Sequence, residues 1–306
     1  MMLRNNRKDL KVDEGDSEII NIVSVICLRK ATGKRKDEIK MKIKIIKIRA
    51  KKAFTPTKIP GASFVINQYV GCQHACLYCY AKFMCKWYNY GKWGSWIVVK
   101  ENLPEIVKNE SVKGEVYMSS VSDPYQPIEK EIKLTRRVLE NMNKKTRLRI
   151  LTKSDLILRD VDVFKEFRDL EVGLTINNFN GKLKNEIEPF SPSNEKRIHA
   201  LKVLYENGVK NYAFISPIIP NLVDAGELIR ETRGFVNFYW FEFLNLRASG
   251  REFREWLREN YAESYEILAH KIKLEKYVKN VIEVINNSKV CVKGICVHHP
   301  KLELIR

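Results

Sequence analysis

Short apolar, β-branched runs alternate along the chain with stretches whose apolar residues recur every three to four positions. The runs at residues 63–70, 115–119, 147–151, 171–176, 211–215 and 235–244 predict strands. Helical spacing between them predicts helices over 101–109, 132–144, 156–168, 194–207 and 222–232. Asp155 and Ser193 stand where N-caps belong, and Gly208 where a C-cap belongs. Strands separated by helices predict a parallel sheet built from βα units. Periodicity leaves open whether that sheet closes, half-closes or stays flat.

The two ends break this rhythm. Residues 41–48 alternate in the manner of a strand, and residues 19–28 form an apolar run with no evident partner. Residues 1–40 are therefore expected to be a poorly ordered extension arising from start-site choice. Beyond Gly250 the pattern is helical to about Asn287, and alternation around Lys293 and Gly294 predicts a β-hairpin turning there. The organisation expected is a basic, partly disordered extension over residues 1–50, an α/β domain over 51–250, and C-terminal helices with a short hairpin over 251–306.

Composition narrows the class. An apolar share of 44% in 306 residues supports a sizeable core. No run approaches the 18 or so apolar residues a membrane span needs, and the opening residues lack a secretory signal, which predicts a cytoplasmic protein without a membrane partner. The net charge of +18 is uneven, with residues 1–58 contributing +10 and the other 248 contributing +8. A basic arm on a mildly basic body suits a nucleic-acid partner through counterion release. The plainer reading is a lysine-rich surface of the heat-adapted kind, in a chain with only three glutamines.

Seven cysteines in a chain of this class point to metal or redox chemistry before disulfides. Three of them, Cys72, Cys76 and Cys79, fall in one short segment that follows the first strand of the alternating region. Three thiolates so spaced can cap three irons of a cubane cluster and leave the fourth iron without a protein ligand. An open iron can chelate the amino and carboxylate groups of a methionine moiety, and a low-potential cluster can pass an electron into an adjacent sulfonium. The alternative is a zinc site, with His74 or Cys85 as the fourth ligand.

The triplet, with Tyr78 before its third cysteine, resembles the signature of the radical S-adenosylmethionine superfamily. Thr55-Pro56-Thr57-Lys58-Ile59-Pro60-Gly61 and Ser122-Asp123-Pro124-Tyr125-Gln126-Pro127-Ile128-Glu129 resemble its spore photoproduct lyase-like ("DNA repair photolyase") branch. Leu151-Thr152-Lys153-Ser154, Arg159-Asp160, Glu188-Pro189 and Pro217-Ile218-Ile219-Pro220-Asn221 extend the likeness across roughly residues 52–245. It implies an α/β fold, a partial (β/α)6 barrel, with the cluster at the C-terminal mouth of the strands. It implies a [4Fe-4S] cluster on Cys72, Cys76 and Cys79, S-adenosyl-L-methionine as cofactor, a low-potential electron donor as partner, and production of a 5′-deoxyadenosyl radical. Ser122 and Lys153 match positions near the cofactor's ribose and methionine ends, where a hydroxyl bonds oxygen and an ammonium neutralises a carboxylate. Thr175 and Asn177 could serve likewise, and the ring of Tyr78 or Tyr80 could pack on adenine or shield the cluster. Asp123, Glu129, Arg159 and Glu188 read equally well as salt bridges at the barrel mouth.

The chain departs from that branch at one chemically decisive place. Spore photoproduct lyases carry a cysteine hydrogen donor two residues before the serine matched by Ser122, and here that residue is Ser120. A hydroxyl does not readily give a hydrogen atom to a carbon radical, so another substrate is expected. Nucleic acid is the first candidate. The alternatives are radical modification of a protein or peptide, and an iron–sulfur or zinc nucleic-acid-binding protein without catalysis. Near the chain's end Cys291, Cys296, His298 and His299 suggest a second metal site or, more plainly, buried strand cysteines. Trp87, Tyr88, Tyr90, Trp93 and Trp96, interleaved with Lys82, Lys86 and Lys92, suggest either base stacking or core packing.

Overall fold

A computed structural model describes residues 20–29, 38–298 and 303–305. Its strands, in chain order, are β1 (Ile20–Arg29), β2 (Glu38–Ile48), β3 (Phe54–Pro56), β4 (Phe64–Ile66), β5 (Tyr69–Val70), β6 (Trp96–Lys100), β7 (Glu115–Met118), β8 (Arg147–Thr152), β9 (Asp169–Ile176), β10 (Asn211–Ile218), β11 (Phe238–Phe243), β12 (Val292–Val297) and β13 (Glu303–Ile305). The main sheet runs β13-β12-β11-β10-β9-β8-β7-β4-β3, and every neighbouring pair from β4 to β12 is parallel. Parallel neighbours need crossovers, and helices such as Leu134–Asn141, Asn194–Glu206 and Ala225–Thr232 supply them. Among the described residues the sheet's outer strands are β3 and β13, so it is an open, mostly parallel sheet in an α/β fold.

At the N-terminal ends of the strands Arg149 gathers Glu115, Asp169 and Glu171 at 2.6–2.9 Å, and Lys210 adds a 2.7 Å contact to Glu171. Gly173 gives Tyr212 room above this network, since a Cβ there would lie 2.2 Å from the tyrosine ring. The opposite, C-terminal ends of the parallel strands finish together.

Three expectations change. The predicted strand over residues 63–70 is two strands in two sheets: β4 pairs with β7, whereas β5 pairs antiparallel with β6. The break falls at Asn67 and Gln68, whose amides bond Ser120 and Thr135. Residues 38–48 do not form a loose extension. β2 lies parallel to β6, with Ile43, Ile45, Ile46 and Ile48 all buried, and β1 pairs antiparallel with β2. Residues 1–19 and 30–37 of the extension fall outside those described. Lys293 and Gly294 are not a turn but the middle of β12, which adds a further parallel strand beside β11; the ring of Trp240 occupies the place a Cβ at residue 294 would need. The antiparallel partner of β12 is β13.

The aromatic segment goes largely to packing. Trp96 is fully buried, and Tyr88, Tyr90 and Trp93 surround it with ring centroids 5.6–6.3 Å away; Trp87 stays exposed. Among the described residues no helix is long and apolar enough to cross a membrane.

Candidate functional site

The cysteine segment begins at Gly71, which turns the chain out of β5 at φ +86°. A side chain there would sit 2.6 Å from the carbonyl of Trp96, so only glycine fits the approach. Ala75 holds a left-handed φ of +52°, and its methyl group packs where a Cβ on Gly94 would otherwise stand, at 2.5 Å. Local turns close as Ala75 N–H donates to the Cys72 carbonyl and Cys79 N–H to that of Cys76.

The connections after neighbouring strands grip this loop. Gln73 and Gln126 exchange bonds across it: Gln126 Oε1 accepts from Gln73 N–H at 2.8 Å, its Nε2 donates to the Gly71 carbonyl, and Gln73 Oε1 accepts from Ile128 N–H. Leu77 N–H donates to the Ile187 carbonyl at 2.8 Å. Tyr78 donates to Glu188, which also receives Asn177 Nδ2 at 3.2 Å and pairs with Arg197. Asp123 accepts from Thr152 Oγ1 and from Lys153 N–H, and lies 3.4 Å from His74 Nδ1. Glu129 accepts from Tyr69 at 2.5 Å and from Arg159 at 2.7 Å.

All three loop cysteines are free; Cys72 and Cys76 are buried and Cys79 is half-buried. Burial, with Asp123 and the other loop thiols, pushes Cys72 well up. Burial and Glu188 push Cys76 up to about 12 against the opposing pull of Lys153, and burial also raises Cys79. Binding of a cation to these thiols displaces their protons. Among the described residues no three His, Cys, Asp or Glu side chains stand close enough to share one metal ion.

The other expected residues divide into two groups. Lys153 follows β8, with its ammonium 5.8 Å from the Tyr78 ring and charge-coupled to Cys76 and Cys79. Ser122 donates to the Tyr69 carbonyl at 3.1 Å. Tyr80 is half exposed and donates to the Ser120 carbonyl, so its ring remains open to solvent. Tyr78 instead lies edge-on to Phe179 and Phe253 and closes the loop's inner side. Asn177 is buried with both ends of its amide engaged, by Glu188 and by Phe179 N–H, and Thr175 is buried on β9 beside it.

The sequence reading missed the Gln73–Gln126 clasp, Arg197, and a polar group where β10, β11 and β12 end. In that group Glu242 accepts from Ser216 Oγ at 2.9 Å and contacts His298 Nε2 at 2.9 Å. A lone acid near the end of the aromatic strand Phe238–Phe243 was the available signal. Cys291 and Cys296 do not converge: they stand five positions apart on extended chain, about 16 Å. Cys296 pairs in register with Glu242, and His299 lies outside the described residues.

Residues 66–231, more than half of the chain, match the family model of the Radical SAM superfamily. An uncharacterized protein of Methanocaldococcus jannaschii is 66% identical over 257 residues, spanning 84% of this chain and 99% of its own. A Mycobacterium tuberculosis protein is 26% identical over 194 residues, 58% of this chain and 57% of its own. Among solved structures, spore photoproduct lyase complexed with dinucleoside spore photoproduct superposes with a TM-score of 0.58 at 17% identity, over 82% of each chain. The chain belongs to the Radical SAM superfamily, and it is an enzyme that cleaves S-adenosylmethionine reductively with a [4Fe-4S] cluster.

Proposed function

We propose that Cys72, Cys76 and Cys79 hold the cluster, that Lys153, Ser122 and Tyr80 face the S-adenosylmethionine, and that the substrate is a nucleic acid. The observation carrying the assignment is the donor set: three free thiols on one clasped loop at the strands' C-terminal end, with one ammonium coupled to two of them. Three free thiols on one short loop suit a cubane, whose irons are separate corners and whose fourth corner is left for the cofactor. When bound, the cluster supplies the electron that breaks the cofactor's carbon–sulfur bond.

The chain's own residues do the rest. Tyr78, Phe179 and Phe253 keep water from the loop's inner side. Lys153 brings a positive charge suited to a methionine carboxylate, and the Tyr80 ring offers a face to adenine. Ser120 is tied to Asn67 and carries only a hydroxyl, so repair of the spore photoproduct by hydrogen return from this position is not the reaction proposed. The nucleic-acid reading is supported by the +18 charge and by the dinucleoside bound in the lyase of like fold.

Anaerobic reconstitution with iron and sulfide, followed by dithionite and S-adenosylmethionine, should yield 5′-deoxyadenosine. Cys76→Ala should abolish it. Wild-type protein that takes up one tetrahedral zinc and forms no product would overturn the assignment. Crosslinking to single-stranded DNA or RNA tests the substrate class separately.

A further inference from the structure

The main sheet carries different chemistry on its two faces. On one, Met118, Ile150, Leu174, Ile215, Phe241 and Ile295 are all buried and join a single apolar core with the helices. On the other stand Tyr117 of β7, Leu151 of β8, Phe214 of β10, Trp240 and Glu242 of β11 and Cys296 of β12, all half-buried and outside that core. Register sets Phe214 beside Trp240, and Glu242 beside Cys296. Toward the strands' C-terminal ends this second face leads to the cysteine loop. Lys153 follows Leu151 by two positions, and the charge of Glu242 reaches Tyr80, the neighbour of Cys79. The Glu242 side chain is 34% exposed there. Its Oε1 contacts His298 Nε2 and its Oε2 accepts from Ser216 Oγ, each at 2.9 Å. Those two contacts fix the carboxylate plane and leave each oxygen a second lone pair.

We propose that this half-buried face receives a single unpaired nucleobase and that Glu242 selects guanine. The inference rests on the nucleic-acid reading above and goes on to name the base. A base held out of its stack is recognised by aromatic packing on its faces and by hydrogen bonds to its Watson–Crick edge. Tyr117, Phe214 and Trp240 supply the aromatic surface. Two lone pairs side by side on one carboxylate match two parallel N–H donors. Among the four DNA bases that pattern belongs to guanine, through N1–H and the amino group. Adenine and cytosine offer one amino donor beside a ring acceptor. Thymine sets two carbonyls around its one N–H, and a carboxylate repels them. An arginine side chain of a peptide carries the same paired donors, but a chain of net charge +18 attracts a polyanion and repels a basic peptide.

The test measures binding of thymine-only single strands, with or without one central guanine, to the full, reconstituted chain with S-adenosylmethionine and no reductant. Wild type should prefer the guanine strand about tenfold, and Glu242→Gln should erase that preference, since a carboxamide presents one acceptor in place of two. Affinity of Glu242→Gln for the thymine-only strand should not fall, because loss of a negative charge favours the phosphate backbone. The guanine strand should also quench tryptophan fluorescence, and Trp240→Phe should lose most of that quenching, a second readout should Glu242→Gln fail to fold. Equal affinity of wild type for the two strands, a preference that survives Glu242→Gln, or full quenching in Trp240→Phe would each overturn the inference and leave the nucleic-acid reading standing. Failure of wild type to bind either strand would overturn both. An arginine-bearing peptide that binds more tightly than the guanine strand, and is released by Glu242→Gln, would overturn the inference and assign this face to protein modification.

Discussion

Replacing Arg197 by methionine should be among the most damaging single changes outside the cysteines. Arg197 and Glu188 are both at most 1% exposed. The guanidinium also donates to Ser191 Oγ at 2.7 Å and to the carbonyls of Pro192 and Thr175 at 2.9–3.2 Å. Arg197→Met strands a buried carboxylate and orphans those carbonyls, a loss of about 3–5 kcal/mol. Glu188→Gln/Arg197→Met removes both charges, so the double variant should recover part of that loss, with a coupling of about 2 kcal/mol in the cycle. Urea unfolding of the cluster-free chain at pH 7, followed by circular dichroism, measures both.

The pH dependence of stability reports on the same buried pair. Burial alone would raise Glu188, but Arg197 and Lys153 with the Arg197 and Tyr78 hydrogen bonds hold it down at about 2. A depressed carboxylate contributes stability that is present above its unfolded value near 4.5 and is lost as pH falls toward 2. For about 2.5 units that is roughly 3 kcal/mol. The gap between wild type and Arg197→Met should therefore shrink across that window. A variant within about 1 kcal/mol of wild type at pH 7, or a gap flat with pH, refutes the reasoning.

Two further outcomes follow from burial and packing. Burial lowers Lys100 to about 8, so between pH 8 and its unfolded value near 10.5 the unfolded chain binds more protons than the folded one. Stability should rise over that window by up to about 3 kcal/mol, a gain that Lys100→Met should lack when the two are unfolded in parallel. Gly173→Ala would press a methyl group into the Tyr212 ring and should cost about 1–3 kcal/mol in thermal unfolding, with Tyr212→Leu restoring part of it.

β7 to β11 were legible in the sequence to within a few residues, because each is an apolar run bounded by turn or cap residues. What escaped was set by distant partners. β6 hides behind the aromatic segment 87–96, and its pairing with β2 joins residues some 50 positions apart. Residues 156–168 have helical spacing, yet they form a 3₁₀ turn, Asp155–Asp160, followed by one short helix, Val161–Phe164, with Ser154 and not Asp155 as the cap. Gly294 looked like a turn glycine because the ring that requires its lack of a side chain belongs to Trp240 on another strand. In the site, cysteine spacing was readable because consecutive ligands share one loop. The supports were not, because they converge only in three dimensions. One compositional trace existed: all three glutamines of the chain, Gln68, Gln73 and Gln126, stand in this scaffold.

That use of glutamine has an electrostatic reason. A loop of three thiolates is already rich in negative charge, and further unpaired charge beside it would shift the potential of whatever the thiolates bind. Gln73 and Gln126 clasp the loop with neutral amides that both donate and accept. The carboxylates placed nearby are each compensated: Glu188 by Arg197, Glu129 by Arg159, and Asp123 by Thr152, the Lys153 N–H and the neighbouring His74. The ammonium of Lys153 is then set against Cys76, Cys79 and Glu188, at the place where the proposed cofactor would bring a carboxylate of its own. The scaffold fixes position with dipoles and reserves a charge for the ligand, a division of labour that a binding loop without redox chemistry would not need.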